Sequence, residues 1–408
     1  MFPRSSRLTL ARAALFKNAP VYVQYYITAR CNLTCQQCNV IYANSDVREC
    51  TLDEIQRMAD NFQRLGVAMV LLTGGEPFVR QDLPAIIHAF ESRGIHVRMQ
   101  TNGLASDERI HEAVTAGGRD ISISLDSLWP GNQDVINGGF ARSWHDALRA
   151  MAAFTRYLPL QGSFAALGCV LQRDNLGDVE DIVRFSTEAG WVTSLVPIHV
   201  TTFDRPMSFR TFDQTKRWQP DELPYVDALI ERVRAMRGEG FLLYDSDQYL
   251  DDMRRFAAGQ PTTWRDKNQG VCDSPNLYFA VLPNGDFAPC CDHRIGGSVS
   301  CLDPKFPEIY WQETFRRKVR ETTGACSGCM YGSYPEMTIA MRYLRTKLER
   351  LKLFLLSPPA KRWPITYESL LAAAERIRNE PRTRIELPGH PRRRALAAES
   401  APALTKPS

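Results

Sequence analysis

Apolar residues follow two alternating patterns along the first half of the chain. Short apolar runs alternate with longer stretches in which apolar residues return every three or four positions. The short runs predict strands, and the longer stretches predict amphipathic helices. The predicted strands are 21–27, 69–73, 96–100, 120–125, 164–171 and 193–200. The predicted helices are 51–65, 83–93, 107–116, 143–154 and 176–189.

This alternation predicts an α/β fold. Strands that alternate with helices form a parallel sheet with right-handed crossovers. Six such units fit either an open sheet or a partial barrel of the (β/α)6 kind. In both architectures ligands bind at the carboxyl ends of the strands. The site should therefore lie in the loops that follow the predicted strands.

The remaining chain divides by composition. Residues 270–330 are rich in cysteine, with a predicted hairpin of strands 277–282 and 287–291 around a Pro-Asn-Gly-Asp turn. The predicted organisation is a lead-in (1–20), the α/β core (21–200), a bridging segment (201–265) with a helix near 223–236, a small α+β cysteine-rich domain (266–335), a basic helical extension (336–380) and a disordered Arg- and Pro-rich tail (381–408).

Composition excludes several classes of protein. Of 408 residues, 44% are hydrophobic and 24% charged, which is typical of globular proteins rather than disordered ones. No apolar run approaches the roughly 18 residues of a membrane span. Arg12 interrupts the first apolar stretch, so no secretory signal is indicated. We expect a cytoplasmic protein, in which eleven cysteines, an odd number, favour metal or cluster ligation over disulfides.

Positive charge is concentrated near the C-terminus. The net charge is +4, yet residues 331–408 hold 15 lysines and arginines against 7 acidic residues. This favours a basic surface contact over nucleic-acid binding by the whole protein. Residues 343–356 alternate basic and apolar side chains at helical spacing. Such a helix could lie peripherally on an anionic membrane, or pack on its own barrel with a solvated basic face.

The first cysteine motif directly follows a predicted strand. Cys31, Cys35 and Cys38 form CxxxCxxC. Three local thiolates fit an iron–sulfur cluster with one iron left open to a substrate or cofactor. The alternative is a structural zinc site completed by a distant Cys or His.

The next strand end carries a second motif, Gly74-Gly75-Glu76-Pro77. Two glycines let a ligand approach the backbone closely, and Glu76 offers a carboxylate to a cation. Together the two motifs resemble the radical S-adenosylmethionine (radical SAM) enzymes. The resemblance covers about residues 20–200 and implies a TIM-like partial barrel. One departure is Gln37, which stands where the family commonly has an aromatic residue.

The resemblance implies a set of cofactor ligands. Cys31, Cys35 and Cys38 would hold a [4Fe–4S] cluster whose open iron chelates S-adenosylmethionine. The residues implied in binding S-adenosylmethionine are Gly74, Gly75, Glu76, Asn102, Ser124, Asp126 and Arg173. Each could instead be structural, Asn102 as a strand-end cap and Arg173 as a surface or ion-pair residue.

The second cysteine group lies in the predicted small domain. Cys272, Cys290, Cys326 and Cys329 follow the order C…GxxxxC…CxxC, with the glycine at Gly285. A four-thiolate zinc site fits this spacing as well as a cluster does. After a radical SAM core, the order resembles the twitch domain, a shorter relative of the SPASM domain. This implies one auxiliary [4Fe–4S] cluster held by these four cysteines, with Cys291 as a substitute for Cys290. Cys50, Cys169 and Cys301 are expected to be free thiols.

The resemblance implies reductive cleavage of S-adenosylmethionine to a 5′-deoxyadenosyl radical that abstracts a hydrogen atom from the substrate. The auxiliary cluster could accept the electron. We expect a small-molecule substrate (a secondary metabolite, sugar or lipid) and a donor such as flavodoxin or ferredoxin. Weak catalytic candidates are Asp126, Arg173, His199, Tyr244 and Asp245.

Three alternatives stay open. The chain could be a peptide- or protein-modifying radical SAM maturase; with only 30 residues before Cys31, it would then need a separate recognition protein. It could be a non-enzymatic iron–sulfur carrier, although a carrier does not explain Gly74–Pro77. It could also be a zinc-stabilised adaptor whose partner binds the basic tail.

Overall fold

A computed structural model of the chain describes residues 4–38, 47–200, 210–265, 270–352 and 361–388. It shows an α/β fold around one eight-stranded sheet. The strands are β1 (Tyr22–Thr28), β2 (Met69–Gly74), β3 (His96–Thr101), β4 (Asp120–Ser124), β5 (Phe164–Leu171), β6 (Val192–Pro197), β7 (Tyr278–Val281) and β8 (Phe287–Ala288). The predicted strands all form, with ends that differ by up to three residues.

The sheet follows the order β6-β5-β4-β3-β2-β1-β7-β8. Neighbours from β6 to β7 run parallel, and only the β7–β8 hairpin is antiparallel. The predicted α/β class with a parallel partial barrel is confirmed. The hairpin of the cysteine-rich region extends the core sheet, with Tyr22 aligned to Tyr278.

Helices cover the sheet and extend beyond it. They are α1 (Arg4–Phe16), α2 (Leu52–Leu65), α3 (Leu83–Glu91), α4 (Asp107–Thr115), α5 (Pro130–Ile136), α6 (Ser143–Tyr157), α7 (Val179–Glu188), α8 (Leu223–Gly238), α9 (Asp247–Ala257), α10 (Phe306–Trp311), α11 (Glu313–Gly324), α12 (Ser333–Arg342), α13 (Leu344–Leu351) and α14 (Tyr367–Asn379). The capping box at the start of α2 shows how sequence sets these ends: the Thr51 side chain accepts from the Glu54 amide, and Glu54 accepts from the Thr51 amide.

The two faces of the sheet differ in polarity. On β3 to β6 one face is apolar and fully buried against the helices, as with Met99, Ile123 and Leu167. Alternate positions face the other way because successive strand residues point to opposite sides. These inner positions are partly exposed and mostly small or polar: Arg98, Gln100, Ser122, Ser124, Gly168, Val170, Ser194 and Val196. The inner face is therefore more polar and more exposed than the outer face.

The C-terminal region folds back on the core. The predicted basic helical extension (336–380) begins with α12 and α13, which are separated at Tyr343, where the backbone is extended. Residues 353–356 lie outside the described residues. Beyond α14, Arg382 and Arg384 both pair with the fully buried Asp181. Thus residues 381–388 of the predicted disordered tail are tied to α7. In the described chain, no helix is long and apolar enough to cross a membrane.

Candidate functional site

The turn after β2 packs against the chain that enters the first cysteine motif. The Gly75 amide donates to the Thr28 carbonyl (2.9 Å), and the Glu76 amide donates to the Arg30 carbonyl (2.8 Å). A Cβ at Gly75 would lie 2.1 Å from the Arg30 carbonyl oxygen, and one at Gly74 would lie 2.2 Å from that of Thr28. The glycines are therefore needed to bring the β2 turn against the residues just before Cys31.

The Glu76 carboxylate lies in the wall of this turn. It accepts hydrogen bonds from the amides of Phe78 (3.0 Å) and Asn102 (2.7 Å) and from the Thr101 hydroxyl (2.8 Å). Burial raises its pKa to about 7 despite these donors. Glu76 thus joins the ends of β2 and β3 beneath the first cysteine motif.

Asp126 joins the cysteine loop to two strands. Its Oδ2 accepts from Gln37 Nε2 (3.0 Å), and its Oδ1 accepts from the Val170 amide (2.6 Å). The side chain is buried, which raises its pKa to about 7. Gln37, the departure from the family pattern, is therefore the residue that anchors the loop to β4 and β5.

Two asparagines approach the thiols of the first motif. Asn102 Nδ2 lies 3.9 Å from Cys31 Sγ and donates to Asn32 Oδ1 (2.7 Å). The Cys35 thiol donates to Asn137 Oδ1 (3.5 Å). Asn137 was not among the predicted site residues, because nothing in its local sequence marks it apart from the Gly138-Gly139 pair that follows.

The thiols of Cys31 and Cys38 lie close enough to Cys35 to raise its pKa. Burial and then the neighbouring Cys38 and Cys31 thiols raise the pKa of Cys35 well above its usual value. Burial raises that of Cys31 to about 11. Clustered thiols of this kind become thiolates when a bound metal supplies positive charge, because coordination deprotonates them. The donor set therefore fits an iron–sulfur cluster.

Ser124 and Arg173 have different surroundings. Ser124 is partly exposed on the inner face and aligned with Gly168 of β5. Arg173 pairs instead with Glu222 (Nη2 to Oε1, 2.6 Å) and donates to the Thr215 carbonyl. Nearby, Lys216 donates to Gln36 in the cysteine loop (2.9 Å). Arg173 therefore ties the bridging segment to the end of β5.

The remaining catalytic candidates, Tyr244, Asp245 and His199, make contacts with other side chains and backbone groups of the chain. The Tyr244 ring lies under the Arg350 guanidinium at 3.5 Å, and Asp245 accepts from the Leu195 amide (2.8 Å). Both lie beside the first half of β6, away from the carboxyl ends of the strands. His199 stacks on Tyr331 (3.9 Å) and accepts from the Met330 amide (3.1 Å). It therefore fixes the segment after Cys329 to the end of β6.

The four distal cysteines meet around one small cavity. Cys272, Cys290, Cys326 and Cys329 all line it, and Cys291 does not. Its other walls include Trp264, Tyr278, Asp292, His293 and Tyr334. Burial and then the neighbouring Cys290 thiol raise the pKa of Cys272 to about 12. Cys50, Cys169 and Cys301 are buried elsewhere.

Hydrogen-bond donors already face these sulfurs. The Ser274 amide donates to Cys272 Sγ and the Gly328 amide to Cys326 Sγ, both at 3.4 Å, and the Leu33 amide donates to Cys31 Sγ at the same distance. Donors to sulfur stabilise thiolates bound to a cluster. Among the described residues, no three Cys, His, Asp or Glu side chains converge as a single metal ion requires. As a donor set, four thiols with amide donors to sulfur fit a [4Fe–4S] cluster, and four thiols also fit tetrahedral zinc.

The sequence matches a family model over the region that holds the first motif. Residues 25–186 match the radical SAM superfamily. The predicted resemblance to this superfamily is confirmed over these residues. The prediction of an enzyme is thereby confirmed, and so are the predicted cofactors, S-adenosylmethionine and [4Fe–4S] clusters, at the level of the family. Which residues hold them remains a proposal.

Two curated relatives and one solved structure are informative. The mycofactocin maturase MftC of Mycobacterium ulcerans is 26% identical over 320 residues, which are 76% of this chain and 80% of that protein. The PqqA peptide cyclase of Ruegeria pomeroyi is 32% identical over 177 residues, 42% of this chain and 45% of that protein. Streptococcus suis SuiB bound to precursor peptide SuiA shares the fold, with a TM-score of 0.56, 15% identity and coverage of 77% of this chain and 70% of that one.

These similarities correct the predicted substrate. The expectation of a secondary-metabolite, sugar or lipid substrate is wrong, because the chain resembles a maturase and a peptide cyclase and folds like an enzyme solved with its precursor peptide. The expected small-molecule partner is wrong for the same reason. Across several curated relatives the chain spans from 36% to 84% of their length. The activity of the whole protein is therefore a matter for proposal.

Proposed function

We propose that this protein is a radical SAM maturase that modifies a precursor peptide or protein. The observation that carries the proposal is the convergence of three loops on one strand-end site. The Gly74–Glu76 turn after β2 is hydrogen-bonded to Thr28 and Arg30, just before Cys31. Asp126, after β4, accepts a hydrogen bond from Gln37 inside the cysteine loop. Similarity to a peptide cyclase supports a peptide as the substrate that binds at that site.

The proposed cluster ligands follow from the two cysteine groups. Cys31, Cys35 and Cys38 hold the [4Fe–4S] cluster that binds S-adenosylmethionine, and Cys272, Cys290, Cys326 and Cys329 hold the auxiliary cluster. When bound, the first cluster and S-adenosylmethionine supply a radical able to take a hydrogen atom from an unactivated carbon. The core (21–200) and the cysteine-rich region (266–335) each provide one cluster site. Cluster ligation by reduced thiols supports the cytoplasm as the compartment.

The chain's own residues hold and orient these groups. Gly74 and Gly75 allow the β2 turn to lie against the backbone of Thr28 and Arg30. Asn102 places its side-chain amide beside Cys31, and Asp126 fixes the cysteine loop through Gln37. The partly exposed inner positions of β3 to β6, among them Gln100, Ser122 and Ser124, offer hydrogen-bonding groups to an extended peptide backbone.

The test is a substrate-class assay with the reconstituted full-length protein. Reductant and S-adenosylmethionine are supplied with synthetic peptides encoded by short reading frames beside its gene, or in parallel with a panel of nucleotides and sugars. We expect a peptide to stimulate release of 5′-deoxyadenosine and to change in mass. Both should vanish in the Cys31/Cys35/Cys38→Ala variant. Stimulation by a nucleotide or sugar, and by no peptide, would contradict the proposal.

A further inference from the structure

One tyrosine hydroxyl at the auxiliary cavity lacks a partner. Tyr334, on α12, is 1% exposed and lines the cavity together with the four cysteines. Its hydroxyl makes no hydrogen bond within the described chain. Because a buried polar group without a partner is unfavourable, such groups in folded proteins usually have an explanation.

Two neighbouring tyrosines differ from Tyr334, because their hydroxyls have partners. Tyr278, whose ring lies 4.8 Å from that of Tyr334, places its hydroxyl 3.3 Å from Cys272 Sγ. Tyr22, whose ring meets that of Tyr334 edge-on at 6.4 Å, donates its hydroxyl to Ser333 (2.9 Å). Of these three buried hydroxyls, Tyr334 alone has no acceptor.

The surroundings of Tyr334 supply sulfur as the missing acceptor. Tyr334 packs in one buried cluster with Cys290 and Cys291, and Cys272 and Cys329 pack against that cluster. Cys290 lines the same cavity. A tyrosine hydroxyl is protonated at neutral pH and can donate to an acceptor, and a cluster presents thiolate and sulfide acceptors.

We propose that Tyr334 donates its hydroxyl to sulfur of the auxiliary cluster and thereby raises the cluster's reduction potential. The inference rests on the proposed function, since it requires the cluster to be held by Cys272, Cys290, Cys326 and Cys329. A hydrogen bond to sulfur stabilises the reduced cluster more than the oxidised one, because the reduced cluster carries one more negative charge. Tyr334 therefore makes the auxiliary cluster a better electron acceptor.

The experiment measures the potential of the auxiliary cluster alone. The full chain with Cys31, Cys35 and Cys38 replaced by Ala is reconstituted anaerobically, and its remaining cluster is titrated by EPR. Tyr334→Phe removes only the hydroxyl. We expect a tenfold less favourable reduction, equivalent to a shift of about 59 mV to more negative potential for a one-electron couple. Tyr22→Phe is the matched control, and its potential should not move because its hydroxyl already donates to Ser333.

The outcomes separate this inference from the proposed function. About four irons per chain with an unchanged potential in Tyr334→Phe would overturn the inference and leave the auxiliary site standing. Absence of iron from the triple variant itself would overturn the inference and the proposed auxiliary ligands, whereas the maturase function is decided separately by the peptide assay. If Tyr334→Phe fails to bind iron, fluorotyrosine at position 334 keeps the ring and strengthens the donor. It should then shift the potential to more positive values, and no shift would overturn the inference.

Discussion

Gln37 donates a hydrogen bond from Nε2 to Oδ2 of Asp126 over 3.0 Å, which joins the first cysteine motif to the end of β4. The same carboxylate accepts from the Val170 amide on β5. A single buried acid thus sets the position of the Cys35–Cys38 turn relative to two strands. This arrangement leads to the first prediction.

Asp126→Ala should loosen the cysteine loop. It leaves the partly buried Val170 amide without its acceptor, and we expect the free energy of unfolding to fall by about 1–3 kcal/mol. Asp126→Asn retains an acceptor for Val170 and, with rotation of the Gln37 amide, the bond to the loop. Urea denaturation of the two apoproteins checks this. Equal losses in both variants would show that charge, rather than hydrogen bonding, holds the loop.

Gly75→Ala should disrupt the site by steric conflict. Its Cβ would stand 2.1 Å from the Arg30 carbonyl oxygen, a backbone atom that cannot rotate away. We expect a loss of stability of about 1–3 kcal/mol or more and the loss of the first cluster's iron. Gly238→Ala at the end of α8 is the matched control, because nothing lies within 4 Å of the added Cβ. Iron retained at wild-type level in Gly75→Ala would contradict this reading of the turn.

Glu76 should make the apoprotein less stable as pH rises. Its pKa is about 7 when folded, against an ordinary value of 4.5, because it is buried. Between these values the unfolded state binds fewer protons than the folded state, so the free energy of unfolding falls as pH increases. The fall amounts to about 3 kcal/mol at most for this group.

Glu76→Gln has no proton to release and should flatten that slope. Asp126 contributes in the same direction, since burial raises its pKa to about 7 as well, so part of the slope should remain. Denaturation at several pH values between about 4.5 and about 7 measures it. A slope identical to wild type would show that Glu76 ionises normally in the folded protein.

The two cysteine groups should hold iron independently. We expect about eight irons per reconstituted chain, and about four after Cys326 and Cys329 are replaced by Ala. Cys301→Ala is the control, because Cys301 is buried outside the cavity. Cys290→Ala should lose iron and Cys291→Ala should not, since only Cys290 lines the cavity. Zinc in place of half of the iron would contradict the auxiliary assignment.

The features that the sequence predicts well, the first cysteine motif, the Gly74–Glu76 turn and the core strands, are all local in the chain. Cys31, Cys35 and Cys38 lie within eight residues, and Gly74–Glu76 are consecutive, so their geometry is set by nearby chain. The six core strands are predictable for the same reason, because period and turn residues are local signals.

Long-range pairings were not predictable. Arg173 has its acid partner 49 positions away at Glu222, and no local pattern announces it. In the sequence nothing distinguishes Tyr334 from other apolar positions of its helix. Only the structure shows that its buried hydroxyl has no hydrogen-bond partner among the described residues. The parallel pairing of β1 with β7 joins strands about 250 residues apart, and hydrophobic period alone does not choose between possible neighbours.

The position of β1 between β2 and β7 determines which truncated fragments of this protein can fold without an exposed sheet edge. A fragment ending before residue 270 would keep every core strand yet expose β1 as a sheet edge, with its row of unpaired amides and carbonyls. All seven residues of β1 are buried in the intact chain, and such an uncovered apolar edge is a template for aggregation. The cysteine-rich region is therefore also a protective cover for the core, and soluble expression of the core requires it.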